Sequence, residues 1–217
     1  MRLVIFGAGD LAEICHHYFT NYTEHRVEGF LVDDDYHTRS HLLDLPVLPA
    51  RDAITTWPPG THEMFVAIGY GGGNLNREAK CQEMRARGYR LASFIHPTAV
   101  ADGLSMGDNC LVSEHAVVQP YSQLGDGVIV RAGSIIGHHA TVGNYCYVAP
   151  GVTMGGGCRI GRRVFLGLGV LVRDRILVAD DVEVGMGGVV TKTADRPGLY
   201  MGCPARRVPG RREPSPG

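Results

Sequence analysis

The sequence predicts an α/β domain of parallel strands, followed by a parallel β-solenoid wound from six-residue repeats. Three observations carry this reading. Stepping by six from Val100 to Val190 meets an aliphatic residue or Met at all sixteen positions. Glycine makes up 30 of the 217 residues, about twice the usual ~7%, and most of it lies in the repeat region and beyond. Before residue 95 the repeat is absent, and short apolar runs alternate with helix-like stretches. That alternation is the mark of a parallel sheet crossed over by helices.

The N-terminal elements follow in order. Leu3-Val4-Ile5-Phe6 is a short apolar run behind a single positive charge, which reads as a buried strand and not as a signal peptide. Gly7-Ala8-Gly9 then opens a helical stretch over residues 11–19. Phe30-Leu31-Val32 leads into Asp33-Asp34-Asp35, and Met64 to Ile68 leads into Gly69. Residues 76–87 form an amphipathic helix closed by Gly88. Gly7 to Ala12 fits the G-x-G-x-x-A pattern after a strand, with acidic residues about 24 positions on, a weak signal for dinucleotide binding when taken alone. The segment has room for about half of such a fold. Its strand-to-helix turn offers exposed amides to a phosphate; the alternative is that these glycines only make tight turns.

The repeat itself is regular beyond its aliphatic position. Glycine follows directly at 107, 125, 137, 143, 155, 161, 167 and 185, and the fifth position of each hexad is small or β-branched nearly throughout. Two inward positions per hexad would fill a narrow core, with glycine expected where the chain turns a corner with unusual dihedrals. Cys110, Cys146 and Cys158 fall on the small inward position, so they read as packing residues and not as ligands. The six cysteines show no CxxC pairing, which fits a reduced, cytoplasmic protein. A net charge of −1 provides no field for nucleic acid and no polybasic membrane patch. No stretch is long and apolar enough to span a bilayer.

His138-His139 stands out because it occupies a corner, outside the core, where turn geometry does not call for imidazoles. From the residues alone, such a pair is either surface or catalytic.

The hexad Ile136-Gly137-His138-His139-Ala140-Thr141 resembles the left-handed β-helix of hexapeptide acyltransferases. The order FLVDDD, FVAIGYGGGNLNRE, SFIHPTA and then the hexads resembles the NeuD/PglD-type sugar O-/N-acyltransferases over nearly the whole chain. The resemblance implies a half-Rossmann domain over 1–95, a left-handed parallel β-helix of about five coils over 96–201, and a C-terminal tail over 202–217. It implies an acetyl-CoA-dependent acetyltransferase acting on a nucleotide-linked amino sugar in glycan or surface-polysaccharide biosynthesis, working as a homotrimer with active sites between subunits. His138 takes the place of the family's general base, and an imidazole, which ordinarily titrates near ~6.5, suits that task. His139 replaces the family's usual carboxylate, so His139, Glu114 or a neighbouring subunit would orient the base. Gly156 and Gly157, one coil on, would lie against the thioester, where an amide stabilises the oxyanion. Gly167, Gly169 and Gly187 would leave a groove for the pantetheine arm. Arg206 and Arg207, in a G-x-P-A-[KR] segment, would meet a CoA phosphate. On the sugar side the resemblance implies Gly7, Gly9, Asp33, Asp34, Gly69 and Arg77; Asp10 is a further candidate in the same turn, and Arg131, one hexad before His138, either reaches the acceptor sugar or is a surface arginine. The chain departs from the family at Asp10-Leu11-Ala12, where Gly-His-Gly is common.

Two rivals share parts of this reading. Sugar O-acetylation would use the same fold. A non-enzymatic nucleotide-binding trimeric scaffold would use only the glycine turn. A carbonic-anhydrase-type zinc needs a histidine pair about five residues apart on one coil. His115, His138 and His139 do not supply it, so no metal is expected.

Overall fold

The computed structural model describes residues 1–209; the rest of the expected tail, 210–217, lies outside them. The chain divides into two compact units. One comprises Met1–Gly69 and Arg77–Phe94, and the other Tyr70–Asn76 with the chain from Ile95 onward.

The first unit is a parallel sheet with helical crossovers. Strand β1 (Arg2–Phe6) leads through helix α1 (Asp10–Tyr22) to β2 (Arg26–Val32). A short hairpin of β3 (His41–Leu42) and β4 (Leu45–Pro49) follows, then the single-turn α2 (Ala53–Thr56), β5 (His62–Val66), α3 (Leu75–Ala86) and β6 (Arg90–Leu91). The sheet order is β3-β4-β2-β1-β5-β6, parallel except for β3 against β4. The chain runs outward from β1 in both directions, so a topological switch point lies beside β1, where open α/β sheets bind ligands. Leu3, Val4, Ile5, Phe30, Leu31, Met64, Phe65 and Val66 are completely shielded, and each large one contributes roughly 1.5–3 kcal/mol by leaving water. Gly7 cannot be replaced: its φ is +125°, and a Cβ there would sit 2.9 Å from the Ala67 carbonyl oxygen.

The second unit is a left-handed three-sided prism. Two-residue strands recur every 18 residues: Val118 pairs with Ile136, Ile136 with Met154, Met154 with Val172, and Val172 with Val190. Two five-stranded sheets and one longer sheet make its three faces. The aliphatic and fifth-position residues form one continuous buried column from Cys110 to Ala194. Cys110, Cys146 and Cys158 are buried there as free thiols. Their Sγ–H groups donate to the carbonyls of Gly125, Gly161 and Arg173, as the hydroxyls of Ser122 and Ser134 do to Gly137 and Ala149. They pack the interior, as their position in the repeat predicts.

The corners correct one expectation. The glycines directly after the aliphatic residues do not hold the unusual dihedrals. Left-handed φ falls two residues later, at Asn109, His115, Tyr121, His139, Tyr145, Arg163, Arg175 and Asp181 and at glycines such as Gly127 and Gly157. The first glycine is needed because the next coil passes too close. A Cβ on Gly137 would be 2.5 Å from the Gly155 carbonyl carbon, and one on Gly143 2.6 Å from that of Gly161.

Residues 70–76 join the prism through their side chains. Tyr70 packs its ring 5.1 Å from Tyr147 and 4.6 Å from Phe165, while Asn74 Nδ2 donates to the Arg163 carbonyl at 3.1 Å.

Candidate active site on the prism

His138 and His139 stand on the corner between strands Ile135–Ile136 and Thr141–Val142, both exposed. Coil stacking holds the backbone here. The His138 N–H donates to Gln119 Oε1 at 2.9 Å, and its carbonyl accepts from the Gly157 N–H at 2.8 Å. His139 has φ +56°, and its N–H donates to the Pro120 carbonyl at 3.2 Å.

The two rings meet each other and a third ring. His138 Nδ1 lies 3.0 Å from His139 Nδ1, with the ring planes at 89°. The far side of His139 packs on Tyr121, with centroids 4.8 Å apart. A Cβ on Gly156 would lie 2.6 Å from both Nε2 and Cε1 of His138, so the imidazole lies over bare backbone that only glycine supplies. A hydrogen bond between two Nδ1 atoms needs one N–H and one lone pair. When His138 is the donor, its Nε2 carries a lone pair directed away from His139. The neighbouring amides of Gly155 and Gly157 donate to the carbonyls of Val172 and His138, whereas that of Gly156 has no such bond. A proton acceptor and an amide donor thus sit side by side at an open corner.

The remaining prism candidates lie elsewhere. Gly167, Gly169 and Gly187 occupy the preceding corner, across the five-stranded face from His138. Arg131 is on that corner too, with its Nε buried and unpartnered, and so is Glu114. Within one chain, His139 and not Glu114 meets the base. Arg206 and Arg207 form a short exposed strand against Gly198–Met201. Arg207 Nε donates to the Pro197 carbonyl at 3.0 Å and Arg206 Nη1 to that of Ala205 at 3.1 Å.

Comparison with known proteins places this geometry. The family model described as bacterial transferase hexapeptide (six repeats) matches residues 121–156, which include the histidine pair and Gly156. No curated protein matches by sequence. Among solved structures, a perosamine N-acetyltransferase from Caulobacter crescentus, in complex with CoA and GDP-perosamine, superposes with a TM-score of 0.85 at 28% identity, covering 95% of this chain and 96% of that one. The acetyltransferase domain of PglB from Neisseria gonorrhoeae FA1090, in complex with acetyl coenzyme A, gives 0.84 at 26% identity, covering 95% and 98%. WeeI from Acinetobacter baumannii AYE gives 0.83 at 20% identity, covering 96% and 100%, and shares the fold.

The architecture is that of the NeuD/PglD-type sugar acyltransferases.

The candidates of the α/β unit divide sharply. Gly7 and Gly9 form the turn into α1. The Gly7 N–H donates to the Leu31 carbonyl at 2.7 Å, and Gly9 caps the helix without a side chain. Asp10 is exposed in the first helical turn. Asp33 and Asp34 follow β2 at the carboxyl edge of the sheet. Lys80 Nζ meets Asp33 Oδ1 at 2.5 Å, and Arg51 Nη1 meets Asp34 Oδ2 at 3.1 Å. Gly69 is partly open.

Arg77 is buried. It is 0% exposed, and its Nη1 donates to the carbonyls of Ile68 and Gly69 at 3.2 and 2.6 Å. It shapes the Gly69 turn from inside.

Sequence reading missed Gln119, Tyr121 and Lys80. The first two were within reach of the 18-residue register, since Tyr121 stacks one coil before His139. Lys80 carried no signal, because its partner Asp33 is distant in sequence.

Proposed function

We propose that the chain transfers the acetyl group of acetyl-CoA to the amine of a nucleotide-linked amino sugar. The observation that carries this is His138, fixed over Gly156 with its Nδ1 against His139. The relatives that bind CoA with GDP-perosamine, or acetyl coenzyme A, share the architecture over 95% of this chain. The α/β unit holds the nucleotide through the Gly7-Ala8-Gly9 turn, Asp33 and Gly69. The prism performs the transfer.

The chemistry is direct. The sugar amine attacks the thioester carbonyl, forming the C–N bond and a tetrahedral oxyanion. His138 Nε2 takes the amine proton, and the Gly156 amide donates to the oxyanion. Collapse breaks the C–S bond, and the proton held by His138 passes to the departing CoA sulfur. No covalent enzyme intermediate is needed. His139 keeps the Nδ1 proton of His138 in place, so the base presents the correct nitrogen.

The proposal extends to assembly and place. Ile135, Leu168, Leu171 and Met186 are exposed on or beside the five-stranded face. That face separates the His138 corner from the corner bearing Arg131, Gly167, Gly169 and Gly187. In a homotrimer, the second corner of one prism meets the first corner of the next, and the pantetheine groove and base then share one cleft. Among the described residues no helix is long and apolar enough to cross a membrane; the enzyme works in the cytoplasm, where acetyl-CoA and nucleotide sugars are made.

The deciding experiment incubates the protein with acetyl-CoA and a panel of nucleotide 3- and 4-amino sugars, following thiol release and the site of acetylation. Release of thiol with an amide product is expected. An ester product, or no thiol release with any member, would overturn the assignment.

A further inference from the structure

The acidic run after β2 is not an open pair of carboxylates. Asp34 is engaged on both oxygens: Oδ1 accepts from the Arg51 backbone N–H at 3.3 Å and Oδ2 from its guanidinium at 3.1 Å. Asp33 is engaged on one. Its Oδ1 meets Lys80 Nζ at 2.5 Å, and the same ammonium meets Glu83 Oε2 at 2.5 Å. Lys80 comes from the middle of α3, and its side chain is only 11% exposed, against 42% for Asp33. Its ammonium also lies 4.7 Å from the centre of the Phe6 ring, at the end of β1.

This ammonium is therefore fixed from three directions, by two carboxylates and an aromatic face. A shielded cation of this kind is worth more than an exposed ion pair, because water competes less for it. It does two things to Asp33. It anchors Oδ1, leaving Oδ2 of this part-exposed side chain as an acceptor that Lys80 does not engage, and it offsets a negative charge that would repel the diphosphate of a nucleotide. Phe6 immediately precedes Gly7, so the lysine's aromatic contact and the Gly7-Ala8-Gly9 turn are neighbours in the chain.

We infer that Lys80 is the positioning residue of the nucleotide site, and that nucleoside recognition runs through Asp33 Oδ2 as held by Lys80. This rests on the α/β unit binding a nucleoside diphosphate. Lys80 acts through Asp33 and need not touch the ligand.

The test titrates the full-length protein with UDP, GDP and dTDP, and measures KM for the nucleotide sugar and for acetyl-CoA. The variants are Lys80→Met, Lys80→Arg, Asp33→Asn and the double Lys80→Met/Asp33→Asn. Loss of one charge-assisted hydrogen bond should weaken nucleotide binding by about tenfold in Lys80→Met. The effect should fall on KM for the nucleotide sugar, with KM for acetyl-CoA unmoved. Lys80→Arg, which keeps the charge, should recover most of the loss. The double variant should bind no worse than Asp33→Asn alone, because the lysine works through that carboxylate. Unchanged nucleotide binding in Lys80→Met, or losses that add in full in the double variant, would overturn the role of Lys80 alone. If the wild-type protein binds none of the three nucleotides, the nucleotide-binding reading of the unit falls, and the role of Lys80 falls with it.

Discussion

At the scale of single residues, the histidine pair supports the sharpest expectations. His138→Ala should lower turnover by about 10²–10⁴ while CoA affinity, measured by titration, holds. His139 can be separated from it. The position has φ +56°, which Asn tolerates well, and an Asn oxygen can accept from the Nδ1–H of His138. His139→Asn should therefore keep most activity, whereas His139→Phe, which has no acceptor, should cost about tenfold to a hundredfold in kcat. Equal activity in both variants would show that His139 does not orient the base. Gly156→Ala should be as damaging as removal of the base, since a methyl there would occupy the space of Cε1 and Nε2. Burial pushes the Cys110 thiol up to about 12, above its unfolded value, so the folded state holds this proton more tightly. Its contribution is intact below the unfolded thiol pKa and is lost as pH rises from there towards 12, which denaturation at stepped alkaline pH will show. The sequence exposed the histidines because a corner has no need of two imidazoles. It hid Gln119 and Tyr121, whose importance comes only from lying one coil away.

Among the elements, the prism was far more legible than the α/β unit. An 18-residue stacking period leaves its mark on every inward side chain, so sixteen positions filled by aliphatic residues or Met define face, register and coil count together. The corner glycines show where such reading stops. Composition says that glycine is required after the aliphatic residue, but not whether φ or crowding requires it; the structure assigns crowding there and left-handed φ two residues on. The two demands predict opposite results. Gly143→Ala should destabilise the fold by about 1–3 kcal/mol through overpacking against the next coil. Arg175→Gly, at an exposed left-handed position, should be close to neutral, since relief of the backbone offsets greater freedom of the unfolded chain. Thermal melts of the pair decide it: loss of stability in the second and not the first would reverse the assignment. In the α/β unit, the strands and turns were readable from short apolar runs, but Arg77 was not. A basic residue on an amphipathic helix reads as exposed, and only the packed turn at Gly69 shows that its guanidinium is fully buried on two carbonyls.

At the scale of the whole molecule, the proposed transfer calls for more than one chain. His138, the proposed proton acceptor, and Gly167, Gly169 and Gly187, the proposed pantetheine groove, sit on different corners of one prism, with a five-stranded face between them. That face carries Ile135 at 37% and Leu171 at 47% exposed, and Leu168 and Met186 flank it at 53% and 73%. Scattered apolar residues are ordinary on a surface, but Leu168, Leu171 and Met186 lie close in the coil register, beside the proposed groove, and fit the proposed interface. Cyclic packing of three copies would cover it and bring unlike corners together, a heterologous contact that closes after three steps. Leu171→Glu tests this directly, because its side chain points out of the prism and leaves the interior column intact. The variant should keep its circular dichroism spectrum but sediment as a single chain, and a buried unpaired carboxylate at each contact is costly enough to drive that change. Acetyl transfer should fall with assembly, although His138, His139 and Gly156 are untouched. A wild-type protein that sediments as one chain with full turnover, or a dissociated variant that retains it, would show that each prism holds a complete site by itself.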